Sequence, residues 1–213
     1  RKVPIMKLIV ALLAGVFIAN AQAATGAEHP NTFHQGVAPG LEFAGQIDVI
    51  NAVGNLWTPL AQILEISDEG FAGTIVTAEG KKIKFDGSFK NAGAKWACSV
   101  KWEAESETPD TFILLSYTMP LDQVRNAEIR SDAQVISFAK MLEQTPTLTN
   151  LAGASEFTLG PVDGATIDFT LASPMNVQAV QFGEHMCVRI LLSPQKDPLP
   201  ASGSAEWTLE KQK

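Results

Sequence analysis

The chain has 213 residues, of which 46% are hydrophobic, and it carries a formal net charge of −7 at pH 7. A chain of this length can bury a substantial core as one large domain or two small ones. Its basic residues are scattered, and Lys81-Lys82 is the only adjacent pair after residue 23. No basic stripe therefore indicates binding to nucleic acid or to an anionic membrane surface.

The N-terminal region has the pattern of a secretory signal peptide. Lys7 precedes a continuous apolar run, Leu8–Ala19, and the small residues of Ala21-Gln22-Ala23 form a signal-peptidase site. The run is shorter than the roughly 20 apolar residues of a membrane-spanning helix, although an uncleaved N-terminal anchor remains the alternative. We expect residues 1–5 to be an upstream extension, residues 1–23 to be removed, and the product to be exported to the periplasm or beyond. No second long apolar run follows, so the mature chain is not expected to span a membrane.

Residues 24–40 are predicted to form a flexible leader, because they are polar, contain glycine and proline, and show no hydrophobic periodicity. His29 and His34 lie in this stretch, and a pair of histidines can bind a metal ion. Because no further ligand pattern accompanies them, no metal site is predicted.

From residue 41 onward, short apolar runs alternate with turn residues, which is the signature of an all-β domain. In the clearest strand, Ala94–Glu105, apolar residues from Trp96 to Trp102 share one face, as expected for an antiparallel sheet that covers a core. We predict strands at 41–50, 71–77, 81–85, 94–105, 112–119, 134–140, 156–159, 166–172, 177–182, 186–192 and 205–209, with a strand or short helix at 56–66. The most economical architecture for residues 41–213 is one antiparallel β-sandwich of the jelly-roll kind.

The two cysteines, Cys98 and Cys187, give conflicting signals. An exported protein favours a disulfide, which here would close a long loop. However, Cys98 falls on the inward face of its predicted strand, whereas Cys187 falls on the face of its strand opposite the apolar Met186 and Val188. Side chains on opposite faces of a sheet cannot bridge. Two unpaired thiols are therefore favoured, and one disulfide remains the alternative.

The densest acidic group consists of Glu103, Glu105, Glu107 and Asp110. Paired carboxylates can hydrolyse glycosides, one acting as the acid and the other as the base or nucleophile, but a solvated strand end and turn explain the group more simply. No G-x-S-x-G, H-E-x-x-H or glycine-rich phosphate-binding motif occurs. We therefore predict no catalytic residues, and we do not expect this chain to be an enzyme by itself.

Asp68, Asp86 and Asp163 lie in predicted turns beside glycine. Some β-sandwich modules bind a calcium ion between such turns through oxygen ligands. Turn chemistry alone also accounts for aspartate at these positions. Calcium therefore stays an open alternative, and no cofactor is predicted.

The four tryptophans fall into two groups. Trp96 and Trp102 lie on the apolar face of the clearest strand and are predicted to be core residues. Trp57 and Trp207 lie near predicted strand ends beside polar residues. An exposed aromatic ring can cover the C–H face of a pyranose, so Trp57 and Trp207 are the candidate ligand-binding residues.

Three segments carry a resemblance to a known family. They are EISDEGFAGTIVTAEGKKIKFDG (65–87), WACSVKWEAE (96–105) and FTLGPVDGATIDFTLASPMNVQAVQ (157–181). Their order and turn spacing resemble the N-terminal β-sandwich domain that precedes the catalytic domain in large secreted bacterial enzymes acting on polysaccharides. The resemblance spans residues 41–194 and contains no motif from which a functional residue can be transferred.

The sequence and the resemblance together imply an exported, non-catalytic β-sandwich that binds carbohydrate or forms an accessory domain of a glycan-active enzyme. The expected partner is a polysaccharide or oligosaccharide, and nucleic acid is not expected. The alternative is a structural or adhesive cell-surface protein whose sheet edges contact other chains. A small hydrolase that uses Glu103–Glu107 is a third hypothesis.

Overall fold

A computed structural model describes residues 31–38, 41–53, 56–59, 64–77, 79–132, 134–143, 148–193 and 197–212, and for residues 38, 53, 56–59 and 148 it describes the backbone only. The predicted signal peptide lies outside these ranges, and export remains a prediction. None of the helices within the ranges has the length and apolar character needed to cross a membrane.

Strands account for 73% of the structure and helices for 5%, which confirms the predicted all-β class. The strands in the described ranges are β1 Thr32–Ala38, β2 Leu41–Val53, β3 Leu56–Pro59, β4 Glu65–Ser67, β5 Gly70–Val76, β6 Lys82–Asn91, β7 Lys95–Ala104, β8 Thr111–Pro120, β9 Glu128–Arg130, β10 Val135–Ser137, β11 Leu148–Val162, β12 Ala165–Phe182, β13 His185–Leu191 and β14 Ser202–Lys211. Two single-turn helices are α1 Leu121–Val124 and α2 Phe138–Met141.

All of these strands belong to one antiparallel sheet. Its main path runs β1-β2-β8-β13-β12-β14-β7-β6-β5-β4, while β3 pairs with β2, β11 with β12 and β9, and β10 with β9. The long strand β12 joins two parts of the sheet, because Ile167–Leu171 pairs with β14 whereas Asn176–Phe182 pairs with β13. The near-continuous apolar strand β8 lies between β2 and β13, so it is a central strand of the sheet.

The sheet curls until it nearly closes into a barrel. Where its ends approach, Asn31 Oδ1 accepts a hydrogen bond from the Leu64 N–H at 2.8 Å. Trp96 Nε1 donates to the Gly36 carbonyl oxygen, also at 2.8 Å. The antiparallel, all-β part of the prediction is thus confirmed. The jelly roll of two separate sheets is not confirmed, because the strands form one continuous sheet.

The predicted start of the domain at residue 41 is wrong, because residues 32–38 form β1 and pair with β2. Phe33 and Val37 are only 3% and 1% exposed, and Gln35 between them is fully buried as well. The polar Gln35 interrupts the apolar alternation, which is why the sequence shows no strand here. Residues 24–30 of the predicted leader lie outside the described residues.

A chain of hydrogen bonds inside the core accommodates Gln35. Trp207 Nε1 donates to the Tyr117 hydroxyl at 3.0 Å, and that hydroxyl donates to Gln35 Oε1 at 2.9 Å. Gln35 Nε2 in turn donates to Cys98 Sγ at 3.1 Å. All four side chains are buried, so each polar group is satisfied by protein where water cannot reach. The chain connects β14, β8, β1 and β7 through the interior.

Both cysteines are free thiols, as the two-face argument predicts. Cys98 lies in the main core, whereas Cys187 alternates with the core residues Met186 and Val188. The Cys187 sulfur lies 3.4 Å from Thr118 Oγ1. Burial raises the pKa of Cys98 to about 12 and raises the pKa of Cys187 as well, so both thiols are protonated at neutral pH.

Several predicted elements differ in the structure. Asp86, predicted to lie in a turn, lies within β6 and pairs with Lys101 of β7, and the strands predicted at 166–172 and 177–182 form the single strand β12. The predicted strand at 134–140 consists of β10 followed by α2, because the chain turns at Phe138, whose carbonyl oxygen accepts from the Leu142 N–H at 3.0 Å. The segment 56–66, left open between strand and helix, contains the strands β3 and β4.

Candidate functional site

Trp207 lies in the core and cannot serve as the predicted sugar-stacking surface. Its side chain is 1% exposed, and its indole N–H donates to the Tyr117 hydroxyl. The prediction is wrong because β14 extends from Ser202 to Lys211, so Trp207 stands in mid-strand. There it shares the inward alternation with Ala205 and Leu209.

Trp57 belongs to β3, where its backbone pairs with Ala52 of β2. Its side chain lies outside the described part of the structure, so its ligand-binding role stays a prediction. Trp96 and Trp102 are buried in the core at 8% and 5% exposure, as predicted.

The acidic group at 103–110 lies on the surface. Glu103, Glu105, Glu107 and Asp110 are all exposed, at the end of β7 and in the following turn. Lys81 Nζ donates to the backbone carbonyl oxygen of Glu107 at 2.6 Å. This geometry agrees with the solvated strand end and turn, and the hydrolase hypothesis stays untested.

Within the described ranges, no group of three or more His, Cys, Asp or Glu side chains is placed to hold a metal ion. Asp163 has a φ of 51° in the turn between β11 and β12, which is the turn role predicted for it. His34 Nδ1 lies 2.8 Å from Glu42 Oε1 across β1 and β2. His29 lies outside the described residues.

A groove of about 840 Å³ opens on the outward face of the sheet, where β9, β11 and β12 lie side by side. Its charged lining consists of Glu128, Arg130, Asp132, Glu156 and Asp168. Three threonines, Asn126 and Gln212 add neutral polar groups. The groove is thus a polar depression on the solvent side, separate from the core.

Strand alternation explains why these polar side chains meet. Phe157 of β11 and Phe169 of β12 point inward, and their rings stack with centroids 4.6 Å apart. Successive side chains of a strand point to opposite faces, so the neighbours of each phenylalanine along its own strand point outward. Sheet register then places Thr158 opposite both Asp168 of β12 and Arg130 of β9. The groove is therefore a cross-strand row of polar side chains over an aromatic layer of the core.

Two contacts orient the charged groups of the groove. Gln212 Nε2 donates to Asp168 Oδ1 at 2.7 Å, and Arg130 pairs with Glu128 two residues earlier on β9. Among the described residues, Asp132, Glu156 and Asp168 form no ion pair. Four carboxylates and one guanidinium give the groove a formal net charge of −3, which disfavours an anionic ligand.

A second polar group lies on the outward face of β2, β8, β12 and β13, and it is buried. Arg189, Asp48, Ser116 and Gln178 are 8%, 3%, 6% and 9% exposed. The Arg189 guanidinium carbon lies 4.5 Å from the centroid of the Phe182 ring, a cation–π distance. Burial lowers the pKa of Arg189 to about 10, a shift that the Asp48 carboxylate opposes. Arg189 is therefore a buried cation at neutral pH.

The sequence did not indicate the groove. Its residues come from 126–132, 156–170 and 212, three segments that only the register of β9, β11, β12 and β14 brings together. Alternation along the predicted strand 166–172 places Asp168 and Thr170 on its polar face, and this is the one local signal available.

No protein-family model matches the chain, and no curated protein matches it. Among solved structures, the Slr1438 protein from Synechocystis sp. PCC 6803 is similar with a TM-score of 0.48 and 10% identity, over 79% of this chain and 78% of that one. A 4-alpha-glucanotransferase from Thermococcus litoralis is similar with a TM-score of 0.47 and 12% identity, over 79% of this chain and 27% of its own. Similarity at this level carries no argument about function.

Proposed function

We propose that this chain is an exported, non-catalytic carbohydrate-binding domain, an accessory part of a glycan-active enzyme with a jelly-roll-like β-sandwich architecture. The observation that carries the proposal is the polar groove on β9, β11 and β12. Its polar lining is rich in hydroxyl, amide and carboxylate groups, which are the groups that orient a polyhydroxylated ligand.

Hydrogen bonding, not stacking, would supply the affinity of this groove. Phe157 and Phe169 contribute to its lining but are only 2% and 1% exposed, so neither ring presents a face to a sugar. Asp168 and Glu156 each offer two carboxylate oxygens, which accept hydrogen bonds from neighbouring sugar hydroxyls. Hydrogen bonds to charged groups are about twice as strong as neutral ones.

The charge of the groove narrows the class of glycan. With a formal net charge of −3, the groove repels uronic acids and sulfated sugars and accepts uncharged polysaccharides. Arg130 does not reverse this preference, because it already pairs with Glu128. We therefore expect neutral glycans to bind better than acidic ones.

Binding to a panel of plant, algal and bacterial polysaccharides tests the proposal, followed by calorimetry with oligosaccharides of each polymer that is retained. We expect Asp168→Asn and Glu156→Gln each to lower the affinity by roughly tenfold, because each weakens a charge-assisted hydrogen bond. The side-chain amide oxygen that Asp168→Asn introduces can still accept from Gln212, so the fold should persist.

Glu103→Gln serves as the matched control, because Glu103 is an exposed carboxylate on β7 that does not line the groove. Its affinity should equal that of the wild type. Absence of binding to every polymer in the panel, or equal affinities for all three variants, would contradict the proposal.

A further inference from the structure

Two hydrogen-bonded pairs form the walls of the polar groove, and each pair runs lengthwise along the strands. Arg130 pairs with Glu128 two positions earlier on β9, and we call this pair the β9 wall. On the opposite side, Gln212 Nε2 donates to Asp168 Oδ1 at 2.7 Å, which forms the β12 wall. The Gln212 main-chain N–H also donates to the Thr166 carbonyl oxygen at 2.8 Å, so this wall extends from Thr166 to Asp168. Each wall therefore covers two successive outward positions of its strand.

The floor between the walls is low, and it follows β11. Register places Thr158 of β11 opposite both Arg130 and Asp168, so this strand lies midway between the two walls. Thr158 and Gly160, which both line the groove, have a short side chain and none. Phe157 also lines the groove although its ring points into the core, so its main chain is the part that reaches the groove. The depression is therefore a trough that runs parallel to β11.

The trough is short because the regular part of β11 is short. Its register against β12 shifts just before Glu156 and again after Leu159. A bulge bends a strand and increases its twist, so the straight stretch ends at these two shifts. From Glu156 to Gly160 the trough is about 13 Å long, and from β9 to β12 it is about 10 Å wide, at the usual rise and strand spacing. These dimensions accommodate a di- or trisaccharide as a single sugar chain.

A sugar chain laid across the strands would meet obstacles that a lengthwise chain avoids. It would first have to pass over the β12 wall. Beyond that wall, register places Glu210 of β14 opposite Asp168, and Lys95 Nζ lies 3.1 Å from Glu210 Oε2. This surface ion pair stands on the crosswise path, whereas a chain parallel to β11 crosses neither the wall nor the pair.

We propose that the groove holds a di- or trisaccharide segment of a neutral glycan, lying parallel to β11 between the β9 wall and the β12 wall. This inference rests on the proposed carbohydrate-binding function and adds the direction and the length of the bound segment. Hydroxyl groups on the two edges of each sugar ring then face the two walls, where the side chains that form them donate and accept hydrogen bonds. One flat face of a ring lies over Thr158.

Calorimetry with cello-, malto-, laminari- and manno-oligosaccharides, each from the monosaccharide to the hexasaccharide, tests the length of the segment. In the series that binds, we expect the affinity to rise by at least about tenfold up to the trisaccharide and to change by less than about twofold beyond it. An affinity that keeps rising to the hexasaccharide, or that the monosaccharide already reaches, overturns the proposal and leaves the carbohydrate-binding function in place. Absence of binding in all four series overturns it too, and the polysaccharide panel then decides whether the carbohydrate-binding function also fails.

Two threonines on the same face of the sheet test the direction of the segment. Thr158 forms the floor of the trough, whereas Thr208 of β14 lies opposite Thr170 and outside the described lining of the groove. Both are half-buried, so the same exchange at each makes a matched pair. We expect Thr158→Leu to fill the trough and lower the affinity for the trisaccharide by at least about tenfold, and Thr208→Leu to change it by less than about twofold.

Thermal unfolding of both threonine variants checks that the fold is intact. Because both side chains lie on the solvent side of the sheet, we expect each midpoint to stay within about 3 °C of the wild type. Equal losses of affinity in the two folded variants would assign a crosswise chain and overturn the proposal. An unchanged affinity of Thr158→Leu overturns it as well.

Discussion

Replacing Tyr117 with phenylalanine removes one oxygen atom from the core and breaks two hydrogen bonds. That hydroxyl accepts from Trp207 Nε1 at 3.0 Å and donates to Gln35 Oε1 at 2.9 Å. Tyr117 and Gln35 are fully buried, and Trp207 is 1% exposed. Water therefore cannot replace the missing hydroxyl, and both partners are left unsatisfied.

The expected loss is large for a single atom. Each buried polar group left without a partner costs about 1–3 kcal/mol, so the Trp207 N–H and the Gln35 carbonyl together lower the free energy of unfolding by about 2–6 kcal/mol. A typical domain has about 5–15 kcal/mol in total. Tyr117→Phe should therefore shift the urea midpoint strongly while the m-value stays unchanged.

Urea denaturation followed by tryptophan fluorescence measures this loss, with Ser99→Ala as the control. Ser99 also gives up a hydroxyl hydrogen bond, to Ser88 at 2.9 Å, but on the partly exposed face of β7, where we expect a change within about 0.5 kcal/mol. The double variant Tyr117→Phe/Gln35→Leu should cost at least about 1 kcal/mol less than the sum of its single changes, because it removes one unsatisfied group. A loss no greater than that of Ser99→Ala, or strictly additive losses, would refute this reasoning.

Three further predictions concern packing, pH and the thiols. A Cβ on Gly45 would lie 2.2 Å from the Phe33 ring, whereas one on Gly36 meets nothing within 4 Å. Gly45→Ala should therefore cost about 1–3 kcal/mol by urea denaturation, and Gly36→Ala should change stability by less than about 1 kcal/mol. Because burial raises the pKa of Cys98 from 9.0 to about 12, the unfolded chain loses this proton first, so the associated stability is present below pH 9 and declines towards pH 12. Between pH 8 and pH 10.5, the wild type should lose about 2 kcal/mol more than Cys98→Ala; equal losses would show that Cys98 does not titrate in this way. Finally, mass spectrometry after labelling in denaturant should count two thiols, Cys98 and Cys187, and a count of zero without reductant would disprove the free-thiol assignment.

Local alternation predicted those parts of the fold in which every inward residue is apolar. Trp96 to Trp102 on β7 and the apolar run of β8 were placed correctly, and the opposite faces of Cys98 and Cys187 followed from the same rule. Period two is a property of the strand itself, so one strand suffices to read it.

The same rule failed where the core uses a polar side chain. Gln35 faces inward on β1 because Tyr117 and Cys98, more than sixty residues away in sequence, satisfy its amide. Without knowledge of those partners, a buried glutamine cannot be distinguished from a solvated one. The position of Trp207 was misread for a related reason, since its indole N–H needs the same Tyr117 hydroxyl.

The groove depends on a phase change that single-strand patterns do not show. In β11 the register against β12 shifts between Leu151 and Ala154 and again between Ala154 and Glu156, and Gly153 adopts a φ of 63° within this irregular stretch. Each shift moves side chains from one face of the sheet to the other. Together they leave Phe157 inward and Glu156 outward, so this irregular stretch of β11 sets the phase of both the aromatic core layer and the groove above it. The site and the core are therefore specified by the same bulges, and a change that altered the phase of β11 would remove both at once.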